Sequence, residues 1–201
     1  MYKYAPHLAV IIAALLWSVD ALLRQSLYAL PALLIITIEH GVGTLIFIPF
    51  LKKYWNDIRG LVQSGWISTL WISLLGGLGG TYFYTKALSY VGYIDLSIVV
   101  LLQKLQPVFA MSLAAIILKE KLSKKYILLA FLAIIGGYLV TFGKNSVPNW
   151  DDNTLIAALL ALLAAFCWGS STAVAKKALV SLHYSAVTVS YTHLTLPTKR
   201  S

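Results

Sequence analysis

The sequence predicts an all-α integral membrane protein: a five-helix repeat followed by a sixth helix that opens a second repeat, cut short of an expected ten-helix inverted-repeat arrangement. Three observations lead there. Of 201 residues, 59% are apolar and 11% charged, far from the balance of soluble domains, and the mean hydropathy is +0.79. The apolar residues gather in runs of about 20, the length of helix that crosses a bilayer core. A short pattern, A-A-L-L-W-S from Ala13, returns as A-A-F-C-W-G from Ala164, a shift of 151 positions.

Span 1 is expected from Leu8 to Leu30, ending before Pro31, because an internal proline would forfeit a backbone hydrogen bond. Leu8 to Val19 alone could suit a cleaved signal, but the preceding region is weakly basic and no small-x-small cleavage site follows convincingly. Span 2 covers Ala32 to Phe50, with the polar stretch Lys52 to Ser64 ending it. Span 3 runs from Trp66 to Leu88, and its Gly76 and Gly80, four apart, leave a groove where another helix can approach closely. Span 4 starts near Asp95, a first-turn carboxylate or cap, and reaches Leu118 with Pro107 inside it. Span 5 fills Lys125 to Phe142 behind a Ser123 cap, and span 6 follows Asp151, Asp152 and Asn153 and continues to Val174.

The 16 Lys and Arg exceed the 7 Asp and Glu, a net charge of +9, but the excess sits in short clusters between apolar runs. Such a pattern fits a membrane face better than nucleic acid. Lys3, Lys52, Lys53, Arg59, Lys119, Lys121, Lys124, Lys125, Lys176 and Lys177 share one side. The other side carries Lys144 opposed by Asp151 and Asp152, and Lys86 near the end of span 3. Positive residues concentrate on the cytoplasmic side, so the amino terminus is expected inside and Gly143 to Asn153 outside, in a multi-pass protein of the plasma (cytoplasmic) membrane. The lipid bilayer is the expected partner. The single cysteine, Cys167, excludes a disulfide framework within the chain.

Five spans separate the starts of the two copies of the Trp17 pattern, and an odd number inverts the second copy in the membrane. Inverted repeats are common in transporters. The stretches A-L-S-Y-V-G-Y-I-D-L-S from Ala87, Q-P-V-F-A from Gln106, L-K-E-K-L-S from Leu118 and I-I-G-G-Y-L-V from Ile134 resemble the EamA-like domain family of the drug/metabolite transporter superfamily. The resemblance covers residues 1–142 as a first repeat, with the loop, span 6 and the start of a second repeat in 143–188. It implies a permease or exporter of a small polar metabolite working by alternating access, and it leaves the substrate open. The sequence departs from the pattern in its shortness and in carrying Arg24 and Lys104 within spans. From Val189 the tail reads V-S-Y-T-H-L, which resembles a translated sequencing adapter, and residues 189–201 are expected to be artefactual, cutting span 7 near its start at Tyr184.

An ionisable group at mid-membrane costs about 2.5–3.5 kcal/mol on insertion scales, so such groups turn inward or into water. Asp20 and Lys104 fall at about the same depth, roughly 15 Å from the outer ends of their helices at 1.5 Å per residue, which suggests a pair. Asp20 and Arg24, four apart, could instead bridge each other. Arg24 and Glu39 are level as well and could staple spans 1 and 2, with His40 one residue deeper as a packing histidine or a proton carrier. Lys104 has Gln103 and Gln106 beside it, and Pro107 deprives the Gln103 carbonyl of its helical partner, a polar collection suited to an aqueous cavity. Tyr82 and Tyr84 could line a path or simply pack, as could Trp17 and Trp168, which the repeat relates. Trp66, Tyr90, Tyr93 and Trp150 read as interfacial anchors. The expected pathway set is therefore Trp17, Asp20, Arg24, Glu39, His40, Tyr82, Gln103, Lys104, Gln106 and Trp168.

Catalytic patterns are absent from the sequence: it has no H-E-x-x-H, no phosphate-binding glycine loop, no nucleophile elbow and no metal-spaced cluster. No cofactor and no enzyme activity are expected. The alternatives to transport are a non-transporting membrane scaffold and, further off, a membrane enzyme built on Glu39 and His40, which sit about 100° apart on one helix and so grip a single metal poorly.

Overall fold

A computed structural model describes residues 5–27, 29–59, 63–90, 92, 96–142 and 152–181. The helices are α1 (Ala5–Ser26), α2 (Ala32–Arg59), α3 (Gln63–Trp71), a π-helical stretch Ile72–Gly79, α4 (Gly80–Leu88), α5 (Leu96–Gln103), α6 (Gln106–Leu118), α7 (Lys124–Phe142) and α8 (Asp152–Ser181). Among the described residues there is no strand. Spans 1, 2, 5 and 6 are α1, α2, α7 and α8; span 3 is α3 to α4, and span 4 is α5 with α6.

Several boundaries differ from the sequence expectation, each for a physical reason. Span 1 ends at Ser26 rather than Leu30, because Pro31 disfavours helical backbone before it and the chain leaves by turns, Leu27 N–H to Arg24 O at 3.1 Å and Leu30 N–H to Leu27 O at 2.9 Å. Span 2 runs to Arg59 through Pro49: the polar residues end the apolar run, but none of them breaks the backbone ladder. Span 6 likewise continues to Ser181. The expected Ser123 cap is present, its Oγ accepting the Tyr126 N–H at 3.1 Å. Asp95, Tyr93, the 143–151 loop and the tail beyond Ser181 lie outside the described residues.

Two spans are irregular at mid-length. In span 3 the Gly80 N–H bonds the Leu75 carbonyl, the i→i+5 spacing of a π turn, which widens the helix and turns carbonyls aside. In span 4 the helix stops at Gln103; Leu105 N–H bonds Leu102 O at 3.1 Å, and Val108 N–H bonds Leu105 O at 2.9 Å. Pro107 lies in the first turn of α6, where a missing N–H costs no helical bond. The expected span is therefore present as one membrane-length run, Leu96–Leu118, divided at Lys104 and Leu105 into two helical segments.

α8 is the hub, packing against α3, the π stretch, α4, α5 and α6, while α1 and α2 lean on α4 and α7 leans on α5. It can be central because its buried residues are small: Ala157, Ala161, Ala164, Ala165 and Ser171 are fully covered. Small side chains let backbones approach closely. A Cβ on Gly76 would lie 2.8 Å from the Ser171 Cβ, and one on Gly169 would lie 2.7 Å from the Phe109 Cβ and 2.9 Å from the Gln106 carbonyl. The Gly76/Gly80 groove predicted from spacing is thus occupied by α8.

The outer faces reverse the soluble pattern. Leu15 and Leu16 on α1, Leu45 on α2, Ile116 on α6 and Leu129 on α7 are exposed, as are most large apolar residues of α1, α2 and α7. Contiguous apolar faces of this size call for a lipid solvent. Leu96–Leu118 and Asp152–Leu179 are each long and apolar enough to cross a bilayer, and Ala32–Ile46 is a shorter apolar helix.

Candidate functional site

Arg24 organises the polar interior. One turn of α1 separates it from Asp20, and its Nε donates to Oδ2 at 2.8 Å and Oδ1 at 3.0 Å. Its Nη2 donates to Glu39 Oε2 of α2 at 2.7 Å, and its Nη1 to Thr85 Oγ1 of α4 at 2.9 Å. The Arg24 side chain is 10% exposed, against 33% for Asp20 and 32% for Glu39. A planar fork of donors suits this three-way bridging, which a lysine could not reproduce. Both the intrahelical Asp20–Arg24 bridge and the Arg24–Glu39 staple therefore exist. Two carboxylates share one guanidinium.

The expected Asp20–Lys104 pair does not form. Asp20 is taken up by Arg24, and the Lys104 ammonium lies instead over the Trp17 ring, 5.1 Å from its centroid. Trp17 meets Trp168 edge-on at 6.2 Å, and Trp168 meets Tyr84 at 5.4 Å. The two tryptophans related by the repeat are thus in contact, in an aromatic row that continues into α4.

Trp168 also ties this row to the two irregular spans. Its Nε1–H donates to the Gly76 carbonyl at 2.8 Å, so the indole bonds a carbonyl within the π stretch. Its own carbonyl accepts the Thr172 hydroxyl at 2.8 Å. Gln106 Nε2 approaches Thr172 Oγ1 at 3.5 Å, and Gln103 Nε2, from a fully buried side chain, donates to Gln106 Oε1 at 3.3 Å. Of the two glutamines at the span 4 break, Gln106 therefore reaches toward α8, and Gln103 is joined to it.

The remaining expected residues stand apart. His40 Nδ1 is 3.1 Å from the Ile36 carbonyl of its own helix, and its Nε2 faces Gly77 of the π stretch. Tyr82 is half-buried beside Phe83, ring to ring at 5.6 Å. Sequence reasoning missed Thr85, Thr172 and the Gly76 carbonyl. The buried Thr81 and Thr85, four apart on a helix, were a readable signal; a backbone acceptor carries none. Among the described residues, no group of three or more His, Cys, Asp or Glu could hold a metal.

Apolar outer faces around a small-residue centre, with an ion network and two broken helices inside, define an integral membrane protein. Residues 5–142 match the EamA-like transporter family, and the chain belongs to it. The chain is also 39% identical over 181 residues to the riboflavin transporter ImpX of Fusobacterium nucleatum subsp. nucleatum (strain ATCC 23726 / VPI 4351), a match that takes in 88% of this chain and 60% of that protein. The chain thus spans less than two thirds of that relative's length. No solved structure matches it.

Proposed function

We propose that the chain forms part of a secondary transporter, rather than an enzyme, that moves a small polar metabolite across the plasma membrane by alternating access. The observation that carries this reading is the break in span 4, where Gln103, Lys104 and Gln106 gather at mid-span beside the Trp17–Trp168 row. Interrupted helices near the bilayer midplane supply transporters with polar groups for a substrate. The name of the relative makes riboflavin the first solute to test. Membrane vesicles carrying the full-length transporter of which this chain forms part should take up labelled riboflavin above vesicles without it, and unlabelled riboflavin should compete. Uptake equal to the blank would remove the flavin from consideration.

The amino terminus and the basic clusters lie on the cytoplasmic side in this reading. Support comes from Lys176 Nζ, 2.6 Å from Glu120 Oε1, a contact that brings the basic end of α8 to the basic connection between α6 and α7. Cysteine labelling tests it cleanly because Cys167 is buried. A cysteine replacing Asn145 should react from the outside, and reaction from the cytoplasm alone would reverse the topology.

A further inference from the structure

We propose that the exposed face of Trp17, with the Lys104 ammonium resting on it, is the platform that recognises a planar heteroaromatic ring carrying carbonyl acceptors along one edge; this rests on the transporter reading.

Depth and exposure define the place. Lys104 lies eight residues after Leu96, about 12 Å along the span at 1.5 Å per residue, and its side chain is exposed. An ammonium at that depth turns toward water rather than hydrocarbon. Its neighbour is the ring of Trp17, a residue 43% exposed at the middle of α1. Water that reaches Lys104 therefore reaches this ring face as well. Trp17 is backed by Trp168, whose indole N–H is anchored on Gly76, so the platform is held in place before any ligand arrives.

The chemistry follows from what each group lacks. An indole face attracts a cation through its quadrupole, and a flat heteroaromatic ring stacks on the same face. Lys104 makes no ion pair among the described residues, although Asp20 and Arg24 lie on the same helix as Trp17. It can leave the ring when a planar ligand takes its place and then donate to carbonyl oxygens on the ligand's edge. The Gln106 amide, half-buried and held to Thr172 Oγ1 only at 3.5 Å, offers a further donor and acceptor close by, while the fully buried Gln103 backs it through a 3.3 Å bond. A solute without a ring would meet only the lysine and the Gln106 amide.

Purified protein in detergent, probed with riboflavin, with lumiflavin (the ring without the sugar-alcohol chain) and with ribitol (the chain without the ring), tests this. Flavin emission reports stacking because a tryptophan face quenches it, and equilibrium dialysis reports binding independently. Lumiflavin should bind within a few-fold of riboflavin, with its emission quenched. Trp17→Leu should weaken lumiflavin by about tenfold or more, the scale of aromatic stacking on a nucleobase. Lys104→Ala should weaken it by about five- to tenfold through the lost hydrogen bond to the ligand's carbonyl edge, with Lys104→Arg recovering most of the loss. Circular dichroism and gel filtration identify any variant that has merely misfolded, and Trp17→Phe provides a milder substitution for that case. Unchanged lumiflavin binding by folded Trp17→Leu, binding without quenching, ribitol binding in place of lumiflavin, or no flavin binding at all would each overturn the platform. Vesicle uptake, measured separately, would still decide whether the protein transports.

Discussion

Replacing Arg24 by methionine should be the most damaging single change in the polar interior. The guanidinium is 10% exposed and makes four hydrogen bonds, to Asp20, Glu39 and Thr85. Its loss leaves two carboxylates without the counterion they share. Removing one partner of a buried pair costs about 3–5 kcal/mol; here each carboxylate is about a third exposed, so the lower end, about 3 kcal/mol, is the expected loss. The network's charges make the series asymmetric. Glu39→Gln leaves one carboxylate and one guanidinium, and the glutamine carbonyl still accepts from Nη2, so its cost should stay below about 1 kcal/mol. Asp20→Asn behaves alike. In the background of both neutral carboxylates, Arg24→Met should cost much less than it does alone. Unfolding in mixed detergent micelles with rising dodecyl sulfate, followed by tryptophan fluorescence, measures each variant. Equal losses for Arg24→Met and Glu39→Gln would refute the sharing of one guanidinium by two carboxylates. The same assay should give a near-zero coupling energy for the Asp20/Lys104 double-mutant cycle and a large one for Asp20/Arg24.

Three further predictions concern the helical frame. Gly169→Ala puts a methyl 2.7 Å from the Phe109 Cβ and 2.9 Å from two backbone atoms of α6, and should cost about 1–3 kcal/mol by forcing α6 and α8 apart. Gly136→Ala, where nothing lies within 4 Å, should instead stabilise α7 by about 0.5–1 kcal/mol, and a loss there as large as at Gly169 would show that helix contacts are not the cause. Ser123→Ala removes the acceptor for the Tyr126 N–H and should cost about 1 kcal/mol; unchanged stability in the unfolding assay would mean that water replaces the cap.

The helices were legible because a bilayer imposes a coarse rule: about 20 apolar residues form a span. What that rule reads is hydropathy, and where hydropathy and backbone bonding part company the expectation slipped. α2 continues to Arg59 although its apolar run ends near Phe50, since lysine and asparagine leave the ladder intact. Span 4 stays apolar through Leu118 yet breaks at Lys104 and Leu105. The π stretch lay hidden for the same reason. Glycines at 76, 77 and 79 permit a wide turn but do not require one, and what accompanies it here is the contact with Ser171 and Trp168 of α8, about 90 residues further along the chain.

The site shows the same limit more sharply. Equal depth correctly placed Arg24 beside Glu39, but it also suggested Asp20 beside Lys104, which the structure does not contain. Depth fixes one coordinate of a side chain, whereas a contact needs its direction around the helix as well. For Asp20 and Arg24 the helix itself supplies both, since residues four apart stack on one face. For Asp20 and Lys104 the direction depends on how α1 turns against α5 and α6, and nothing local in the sequence records that rotation. Arg24, one turn away, therefore had the advantage over any partner from another span. The Asp20 carboxylate is already bound to Arg24, and the Lys104 ammonium rests on an indole face. That leaves a cation in an exposed position at mid-span resting on a ring, and among the described residues near the span 4 break it is the charged group that a ligand could recruit without first breaking an ion pair.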